Sequence, residues 1–327
     1  RVETSPMPDQ ARRFVDWVAA YTLSTPGSVL RMAMRGPEDL KLPRPLVVFK
    51  LGDIPGDLRM TPARQRVIDF LQDGPSLAAS DLARETGVST GVIKGLADTG
   101  ALVRLELAPP PPFTAPDLER PGPDLSDAQD TAAMSLRKKV SADAFSVTLL
   151  DGVTGSGKTE VYFEAVAAAL AAGRQVLVLL PEIALTPQWL DRFEQRFGVA
   201  PAVWHSDLRQ ARRRTTWHAV STGNARIVVG ARSALFLPFA ELGLIIVDEE
   251  HEPAFKQEDG VSYHGRDMAI VRAQIADAPI VLASATPSLE TRVNVSRERY
   301  DSIPLPERFG GATMPDIATV DMRDAEL

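Results

Sequence analysis

Residues 152–159 of this chain read Gly152-Val153-Thr154-Gly155-Ser156-Gly157-Lys158-Thr159, which is a complete G-x4-G-K-T phosphate loop. An apolar run precedes the loop at 147–150, and apolar residues at helical spacing follow it over 161–170. A buried strand, a glycine turn and a helix N-terminus form the context in which backbone N–H groups surround a phosphate. In such a loop Lys158 reaches the β- and γ-phosphates, and the Thr159 hydroxyl binds Mg²⁺. The sequence therefore predicts a binding site for a nucleoside triphosphate.

Apolar strands alternate with helical segments on both sides of this loop, from about residue 125 onward. This alternation predicts an α/β fold with a parallel sheet that is covered by helices on both faces. The predicted strands are Val147–Leu150, Val176–Leu180, Ala202–His205, Ile227–Val229, Leu244–Val247 and Ile280–Ala283. The predicted helices are Thr159–Ala171, Thr186–Phe197, Asp207–Val220 and Arg266–Ala276.

A polar cluster, Asp248-Glu249-Glu250-His251, directly follows one of the predicted strands. Ligands of open α/β sheets bind at the carboxyl ends of the strands, so this position favours a functional role. Asp248 is predicted to hold Mg²⁺, and Glu249 to orient and deprotonate an attacking water. His251 allows two interpretations. It is either a surface histidine or a coupling residue that hydrogen-bonds toward the γ-phosphate or toward the S-A-T segment at 284–286.

Residues 1–57 are predicted to contain an N-terminal helix and a connecting segment. Phe14, Trp17, Val18 and Tyr21 recur at i, i+3, i+4 and i+7, which predicts that they form the apolar face of the helix.

Residues 58–108 are predicted to form a small winged-helix domain, with three helices followed by a strand at 101–107. Thr61-Pro62 is a helix start, and Gly87 ends the second helix. Two interpretations stay open for this domain. The third helix contacts DNA in a groove, or the domain serves packing or weak backbone contact, because that helix offers Lys94 as its cation.

The composition bounds the class of protein. The chain has 327 residues, a formal net charge of −7 and no cysteine, which excludes disulfides and thiolate zinc sites. Its four histidines lack metal-ligand spacing, and no apolar run approaches the roughly 18 residues of a membrane helix. We therefore expect no membrane association and a cytoplasmic location. Because the chain begins at Arg1 and ends at Leu327, we also expect it to be a piece of a longer protein.

Taken together, these motifs resemble the first motor lobe of a superfamily 2 helicase. The residues within these motifs are similar to those of the PriA family of bacterial replication-restart helicases. The resemblance covers about 125–323 closely. The segments that carry it are Gly152–Tyr162, Pro181–Gln188, His205-Ser206, Gly230–Phe236, Asp248–His251 and Ser284–Glu290.

The resemblance implies a RecA-like parallel-sheet lobe at 125–305 and a lead-in at 306–327 to a second lobe that this chain lacks. A proline-rich linker at 109–124 separates the lobe from the winged helix. It also implies ATP and Mg²⁺ as ligands. The implied nucleotide-binding residues are Gln129 (on the adenine), Gly152, Val153, Thr154, Gly155, Ser156, Gly157, Lys158, Thr159 and Glu160. The implied catalytic residues are Lys158, Asp248, Glu249 and His251, with Thr159 and Asp248 on Mg²⁺ and Ser284 and Thr286 as coupling residues.

DNA contacts are also implied, through two loops and an aromatic-rich segment at 255–267. Hydroxyls, amides and cations of this kind hold phosphates without reading bases, and aromatic rings stack on bases. A helix cap or an ordinary loop is the simpler interpretation of the first two segments. The implied DNA-binding residues are Thr186, Gln188, Arg232, Ser233, Phe255, Lys256, Tyr263 and His264. The basic cluster Arg209, Arg212, Arg213 and Arg214 is better interpreted as a solvated helix face than as a DNA-facing patch.

Members of the family are 3′-to-5′ DNA helicases of replication restart, with primosome proteins and single-strand-binding protein as partners. They carry an arginine finger and a zinc region in the second lobe. We therefore expect this chain to bind ATP weakly, to hydrolyse it barely and not to unwind DNA alone. A second hypothesis is another superfamily 2 translocase, which the winged helix and the Gly152-Val153-Thr154 opening of the loop argue against. A third is a nucleotide- and DNA-binding scaffold. The intact Glu249 argues against a scaffold for the longer protein, but we expect scaffold-like behaviour of this chain itself.

Overall fold

The computed structural model describes residues 7–34, 45–181 and 186–308. Its residues form two compact units, Leu42–Pro111 and the combination of Arg1–Lys41 with Pro112–Leu327. In chain order, the first elements are α1 (Asp9–Tyr21), α2 (Pro26–Ala33), β1 (Leu46–Leu51), α3 (Pro62–Asp73), β2 (Leu77–Ala78), α4 (Ala79–Thr86), α5 (Thr90–Asp98) and β3 (Leu102–Leu107).

The rest of the chain belongs to the larger unit. Its helices are α6 (Asp127–Ser141), α7 (Lys158–Ala171), α8 (Pro187–Phe197), α9 (Gln210–Ser221), α10 (Gly265–Ala276) and α11 (Leu289–Ser296). Its strands are β4 (Ser146–Gly152), β5 (Gln175–Leu179), β6 (Ala202–Trp204), β7 (Ile227–Gly230), β8 (Leu242–Asp248), β9 (Lys256–Gln257), β10 (Tyr263–His264), β11 (Pro279–Ser284) and β12 (Asp301–Leu305).

Within the described ranges, seven of these strands form one sheet in the order β12-β4-β11-β8-β5-β7-β6. Neighbouring strands run parallel throughout. β5, β7, β8 and β11 are buried along their whole length, and apolar clusters lie on both faces of the sheet. Continuous apolar strands are typical of a parallel sheet that is covered on both sides. The α/β prediction is confirmed; the edge strand β12 and the helices α6 and α11 were not predicted.

The N-terminal helix α1 belongs to the larger unit, and its buried face differs from the prediction. Phe14 and Val18 are buried as expected, but Trp17 and Tyr21 lie at the surface, where their rings stack 4.9 Å apart. Ala11 and Val15 are buried instead, together with Ala19. The spacing i, i+3, i+4, i+7 therefore located the helix. The packing of α1 against α2 and α10 buries a stripe with that spacing that begins at Ala11 instead of Phe14.

The smaller unit packs α3, α4 and α5 with a three-stranded sheet, in the order β2-β1-β3, over the residues that the structure describes. Thr61 caps α3 by accepting a hydrogen bond from Arg64 N at 3.3 Å, and Gly87 ends α4 with φ +62°. β1 pairs antiparallel with β3 from Leu46 opposite Leu107. Because of this pairing, the unit starts before residue 58, which was the predicted boundary.

The predicted linker at 109–124 also differs from the observed arrangement. From Pro112 onward it belongs to the larger unit. Asp117 N donates to Phe197 O at 2.9 Å, and Arg196 Nη1 donates to Arg120 O at 2.8 Å. A proline-rich segment is stiff, but here hydrogen bonds with the backbone and with a side chain of α8 hold it against the unit.

Candidate functional site

Three sequence motifs meet at one edge of the large sheet. β11 lies between β4 and β8, with Ser284 paired to Asp151 and Ala283 paired to Asp248. Since parallel strands end at the same edge, the phosphate loop, the S-A-T segment and the acidic cluster lie side by side. This is the edge at which open α/β sheets bind ligands.

The phosphate loop has the backbone that its glycines predict. Gly155 and Gly157 have φ values of +81° and +78°, which residues with a side chain adopt at a cost. A Cβ on Gly152 would lie 2.9 Å from Lys158 Cγ and 3.1 Å from Leu305 Cβ, so this position also requires glycine. Lys158 is buried, and its Nζ donates to Gly152 O at 2.8 Å. The loop is therefore a closed cradle whose cation bonds to backbone carbonyls.

Gln129 lies beneath this loop. Its side chain is 3 % exposed; Oε1 accepts from Ser126 N at 2.9 Å, and Nε2 donates to Ser156 O at 2.8 Å. Ser126 Oγ accepts from Gln129 N in return, which completes a capping box at the start of α6. In this arrangement the amide supports the loop. The predicted contact of Gln129 with adenine stays a prediction, and it requires the side chain to exchange these partners.

Asp248 lies at the carboxyl end of β8 and receives hydrogen bonds on both oxygens. Tyr162 Oη donates to Oδ2 at 2.9 Å, and Glu249 N donates to Oδ1 at 3.0 Å. Trp189 Nε1 donates in turn to Tyr162 Oη at 2.8 Å. Burial raises the pKa of Asp248 to about 6; the Tyr162 hydrogen bond and the Lys158 charge act against this shift. Burial also raises the pKa of Tyr162, so its hydroxyl stays a donor.

Glu249 and His251 lie on the turn after β8. Glu249 has φ +49°, an uncommon conformation for a residue with a side chain, and such conformations cluster at functional sites. His251 Nδ1 shares a 2.8 Å hydrogen bond with Ser284 Oγ and lies 3.6 Å from Glu249 Oε2. Ser284 Oγ also accepts from Thr286 N at 3.0 Å. Of the two interpretations of His251, the geometry favours contact with the S-A-T segment.

A cavity of about 470 Å³ opens above these groups, a size typical of small-ligand sites. Lys158, Thr159, Asp248 and Glu249 all face it, so cations, a hydroxyl and two carboxylates converge on one space. The residues that line it are Pro123, Asp124, Leu125, Gln129, Thr154, Gly155, Gly157, Lys158, Thr159, Glu160, Arg192, Asp248 and Glu249.

The donor set fits a magnesium–nucleotide complex. The glycine positions leave a cradle that side chains would fill, and Ser156 Oγ is buried with no hydrogen-bond partner among the described residues. Mg²⁺ is usually held by one or two carboxylates together with phosphate oxygens. Within the described ranges, no group of three or more His, Asp or Glu side chains is placed to hold a metal ion.

Sequence reasoning missed several residues of this cavity. Arg192 lines it and pairs with Glu160 at 3.6 Å, and burial raises the pKa of Glu160. Residues 123–125 line it because the segment before α6 packs against the unit. Tyr162 and Trp189 were also missed, since they act on Asp248 from other elements. The sequence patterns of the motifs do not indicate these contacts.

The first predicted DNA segment, Pro181–Gln188, is described at 181 and 186–188, and residues 182–185 lie outside the described ranges. Thr186 Oγ1 accepts from Trp189 N at 3.3 Å, so it serves as the N-cap of α8. Gln188 is exposed. Both residues line a cavity of about 540 Å³ that also reaches Asp248 and Glu249. The cap interpretation therefore holds for Thr186, and its contact with DNA stays a prediction.

The second predicted DNA segment contacts the aromatic-rich loop. Arg232 Nη1 donates to Ala254 O at 3.0 Å and also to Lys256 O. Ser233 is half-buried beside it. Lys256 is exposed, and its Nζ lies 2.6 Å from Glu258 Oε1. The hydrogen bond between these two side chains raises the pKa of Lys256. Arg232 thus holds the loop, and its guanidinium has protein partners.

The predicted aromatic platform is wrong for two of its members. Phe255 is 1 % exposed and Tyr263 is 5 % exposed, and both belong to the core under the sheet. The Tyr263 ring contacts Phe236 edge-on at 5.6 Å, and burial raises the pKa of Tyr263. Rings buried in this way do not stack on bases. His264 is half-buried, and burial lowers its pKa.

The basic cluster on α9 packs partly against aromatic rings. The Arg213 guanidinium lies 4.2 Å from the Trp204 ring, and that of Arg212 lies 5.2 Å from the Phe113 ring. Arg213 also donates to His205 O at 3.1 Å. Two of the four cations of the cluster thus contact other residues of the unit, in line with the preference against a DNA-facing patch.

The sequence profile described as DEAD/DEAH box helicase matches residues 127–295, which is more than half of the chain. The chain belongs to the DEAD/DEAH box helicase family. The predicted RecA-like lobe of a superfamily 2 helicase is thereby confirmed, and membership implies the use of ATP and Mg²⁺.

Two curated relatives of this helicase lobe are replication restart proteins named PriA. The Bacillus subtilis protein is 39 % identical over 271 residues, covering 81 % of this chain and 34 % of its own length. The Rickettsia conorii protein is 45 % identical over 205 residues, covering 63 % and 31 %. The resemblance seen in the motifs is confirmed by these matches. The chain spans about a third of the length of the curated relatives it matches.

Among solved structures, the helicase lobe is similar to one titled RecG bound to a three-way DNA junction. The TM-score is 0.46 at 21 % identity, over 60 % of this chain and 26 % of that one. In the parts of the chain that the structure describes, none of the helices is long and apolar enough to span a membrane.

Proposed function

We propose that this chain is the first motor lobe of an ATP-dependent DNA helicase of replication restart. The observation that carries the proposal is the cavity in which the phosphate loop, at the end of β4, faces Asp248 and Glu249, at the end of β8, with β11 between the two strands. The similarity to proteins named as replication restart proteins supports the restart role. The 3′-to-5′ direction rests on the resemblance of the motifs to that family. Forked or single-stranded DNA, primosome proteins, single-strand-binding protein and a cytoplasmic location belong to the same proposal.

Each residue of the cavity has a role in this proposal. Lys158 leaves the carbonyl of Gly152 and binds the β- and γ-phosphates, as the loop N–H groups do. Thr159 and Asp248 hold Mg²⁺, which neutralises charge on the transferred phosphoryl group. Glu249 orients the attacking water and takes its proton. His251 senses the γ-phosphate and passes the change to Ser284.

DNA is proposed to lie along the ends of β5 and β7, beside the nucleotide cavity. Thr186, Gln188, Arg232, Ser233, Lys256 and His264 are the residues proposed there. The larger of the two cavities, about 540 Å³, joins Gln188 to Glu249 and supports this placement. Phe255 and Tyr263 are left out because they are buried.

The test is binding of a fluorescent ATP analogue and steady-state hydrolysis, with and without forked DNA, for the chain and for Lys158→Ala. Lys138→Ala is the matched control because Lys138 is exposed on α6. We expect binding to be lost in Lys158→Ala and kept in the control. We expect hydrolysis to be slow, because members of the family carry their arginine finger in the second lobe. Such a finger contributes a factor of about 10³–10⁵ to turnover in related nucleotide hydrolases. Unchanged binding in Lys158→Ala contradicts the proposal.

A further inference from the structure

Glu250 is the residue of the acidic cluster that the nucleotide site leaves without a role. Its side chain is 0 % exposed, yet each of its oxygens is hydrogen-bonded. Oε1 accepts from Ser288 N at 2.7 Å. Oε2 accepts from Ser288 Oγ, Thr291 Oγ1 and Arg266 Nη1, each at 3.1 Å. A buried carboxylate with four donors is fully satisfied, so its position is fixed.

These donors come from two other elements. Ser288 is the N-cap of α11 and follows the S-A-T segment by two residues. Arg266 lies in the first turn of α10, directly after β10. Glu250 itself is anchored to β11, because its N donates to Ala283 O at 3.1 Å. One side chain thus joins the end of β8, the start of α11 and the start of α10.

The β9–β10 hairpin is held at both of its ends through these contacts. Arg232 holds the first strand at Lys256 O. Arg266 lies just after the second strand in the chain, and its Nη1 donates to Glu250 Oε2. Side-chain hydrogen bonds, joined by short stretches of backbone, therefore lead from the proposed DNA side to the residues next to the S-A-T segment, where Ser284 contacts His251.

Stability alone does not account for a charge at this position. A buried ion pair is weak evidence for stability, and well-packed neutral groups often replace such pairs without loss. Arg266 also has a second partner, since its Nε donates to Asp267 at 2.9 Å. A clamp between elements that move relative to each other, by contrast, requires strong and directional bonds, which charge-assisted hydrogen bonds provide.

We propose that Glu250 is a positioning residue that couples DNA binding at the hairpin to nucleotide binding at the phosphate loop. It does so by linking Arg266 to Ser288 and Thr291. The proposal rests on the proposed function, in that it requires the chain to bind both ligands. It assigns Glu250 no contact with either of them.

The test is a binding cycle on the 327-residue chain and its Glu250→Gln variant. The affinity for a fluorescent ATP analogue is measured with and without a saturating single-stranded oligonucleotide, and the DNA affinity is measured alone. We expect DNA to change the ATP affinity of the wild type by at least about fivefold, the lower end of usual allosteric couplings. In Glu250→Gln we expect each ligand alone to bind within about twofold of the wild type and the coupling factor to fall to near one.

Arg272→Met is the matched control. Arg272 is fully buried on α10, the helix that carries Arg266, but it donates to Gln10 O and Leu237 O. It is expected to lower stability and to keep the coupling. If Glu250→Gln does not fold, Thr291→Val removes one donor of the clamp and is expected to reduce the coupling partly. Full coupling in the variants, or none in the wild type, overturns the inference. If the wild type itself does not bind ATP or DNA, the result counts against the proposed function instead.

Discussion

The hydroxyl of Tyr162 donates a 2.9 Å hydrogen bond to Asp248 Oδ2 while it accepts one from Trp189 Nε1 at 2.8 Å. Tyr162 lies on α7, the helix that begins with the phosphate-loop lysine, and Trp189 lies on α8. The proposed Mg²⁺ ligand is thus oriented by two helices that flank the cavity. Such supporting hydrogen bonds fix the geometry of a ligand and its affinity for the metal.

Tyr162→Phe is therefore expected to weaken Mg²⁺-dependent ATP binding. Hydrogen bonds to charged groups contribute about 1.5–3 kcal/mol, so we expect the apparent Mg²⁺ affinity to fall by at least about tenfold. The measurement is a Mg²⁺ titration of fluorescent-ATP binding. Tyr263→Phe removes a buried hydroxyl that has no hydrogen-bond partner among the described residues, and it is expected to leave the titration unchanged. Equal curves for Tyr162→Phe and the wild type refute the role of this hydroxyl.

The raised pKa of Asp248 predicts a pH dependence of stability. Its folded-state pKa is about 6, above the roughly 3.9 of an unfolded aspartate, so the folded chain binds the proton more tightly. The group therefore favours the folded state most at low pH, and this contribution is lost as pH rises from about 4 through 6. The difference is on the order of 3 kcal/mol in the nucleotide-free chain.

Urea unfolding of the wild type and of Asp248→Asn in the absence of Mg²⁺ measures this contribution. We expect the variant to be the more stable of the two at pH 7.5 and the gap to narrow at pH 5. A stability difference between the two proteins that is independent of pH, or that widens toward low pH, contradicts the raised pKa of Asp248.

Gly157 carries two separate constraints, and the chain offers a control that isolates one. Its φ is +78°, and a Cβ would collide with Gln129 Nε2. Gly173 has φ +77° with open space for a Cβ, as judged from the residues that the structure describes. Gly173→Ala is expected to cost about 1 kcal/mol from its backbone conformation alone.

Gly157→Ala is expected to cost more than Gly173→Ala and to abolish ATP binding, because the loop must move away from Gln129. The double variant Gly157→Ala with Gln129→Ala is expected to recover part of the lost stability, as contacting residues are not additive. Thermal unfolding of the wild type, Gly173→Ala, Gly157→Ala, Gln129→Ala and the double variant gives the comparison. Additive losses would show that the two residues do not collide.

Phe255 is expected to act on folding. Truncation of a buried phenylalanine usually costs about 3–5 kcal/mol, so Phe255→Ala is expected to be strongly destabilised. Lys256→Ala, one position along, is expected to change stability by less than about 0.5 kcal/mol and to lower DNA affinity in a salt-dependent way. Urea unfolding and DNA titration at two salt concentrations separate the two effects. A stable Phe255→Ala that loses DNA binding would restore the aromatic platform.

The Tyr263 hydroxyl is buried, with no hydrogen-bond partner in the described ranges. An unsatisfied polar group carries a desolvation penalty of about 1–3 kcal/mol, so Tyr263→Phe is expected to be at least as stable as the wild type. A clear loss of stability in thermal unfolding indicates that the hydroxyl has a partner.

Much of the nucleotide site could be predicted because its signals are local. The phosphate loop follows from glycines and a lysine at fixed spacing, and Asp248 and Glu249 follow from carboxylates after an apolar strand. The aromatic loop shows where this reasoning ends. Phe255 and Tyr263 are interleaved with polar residues in the sequence, yet the fold buries both, because the hairpin turns their rings toward the core. α6 had a signal that was missed, the S-x-x-Q capping box at Ser126 and Gln129.

The sequence by itself determined the class of fold, the phosphate loop and the acidic cluster, because each depends on residues that are neighbours along the chain. The tertiary structure decided which of them meet. Strand β11 places Ser284 opposite Asp151 and Ala283 opposite Asp248, although more than thirty positions separate β11 from Asp248. It also decided that Tyr162, Trp189 and Glu250 support the site. Their contacts arise from strand order and helix packing, which pair residues that no local pattern connects.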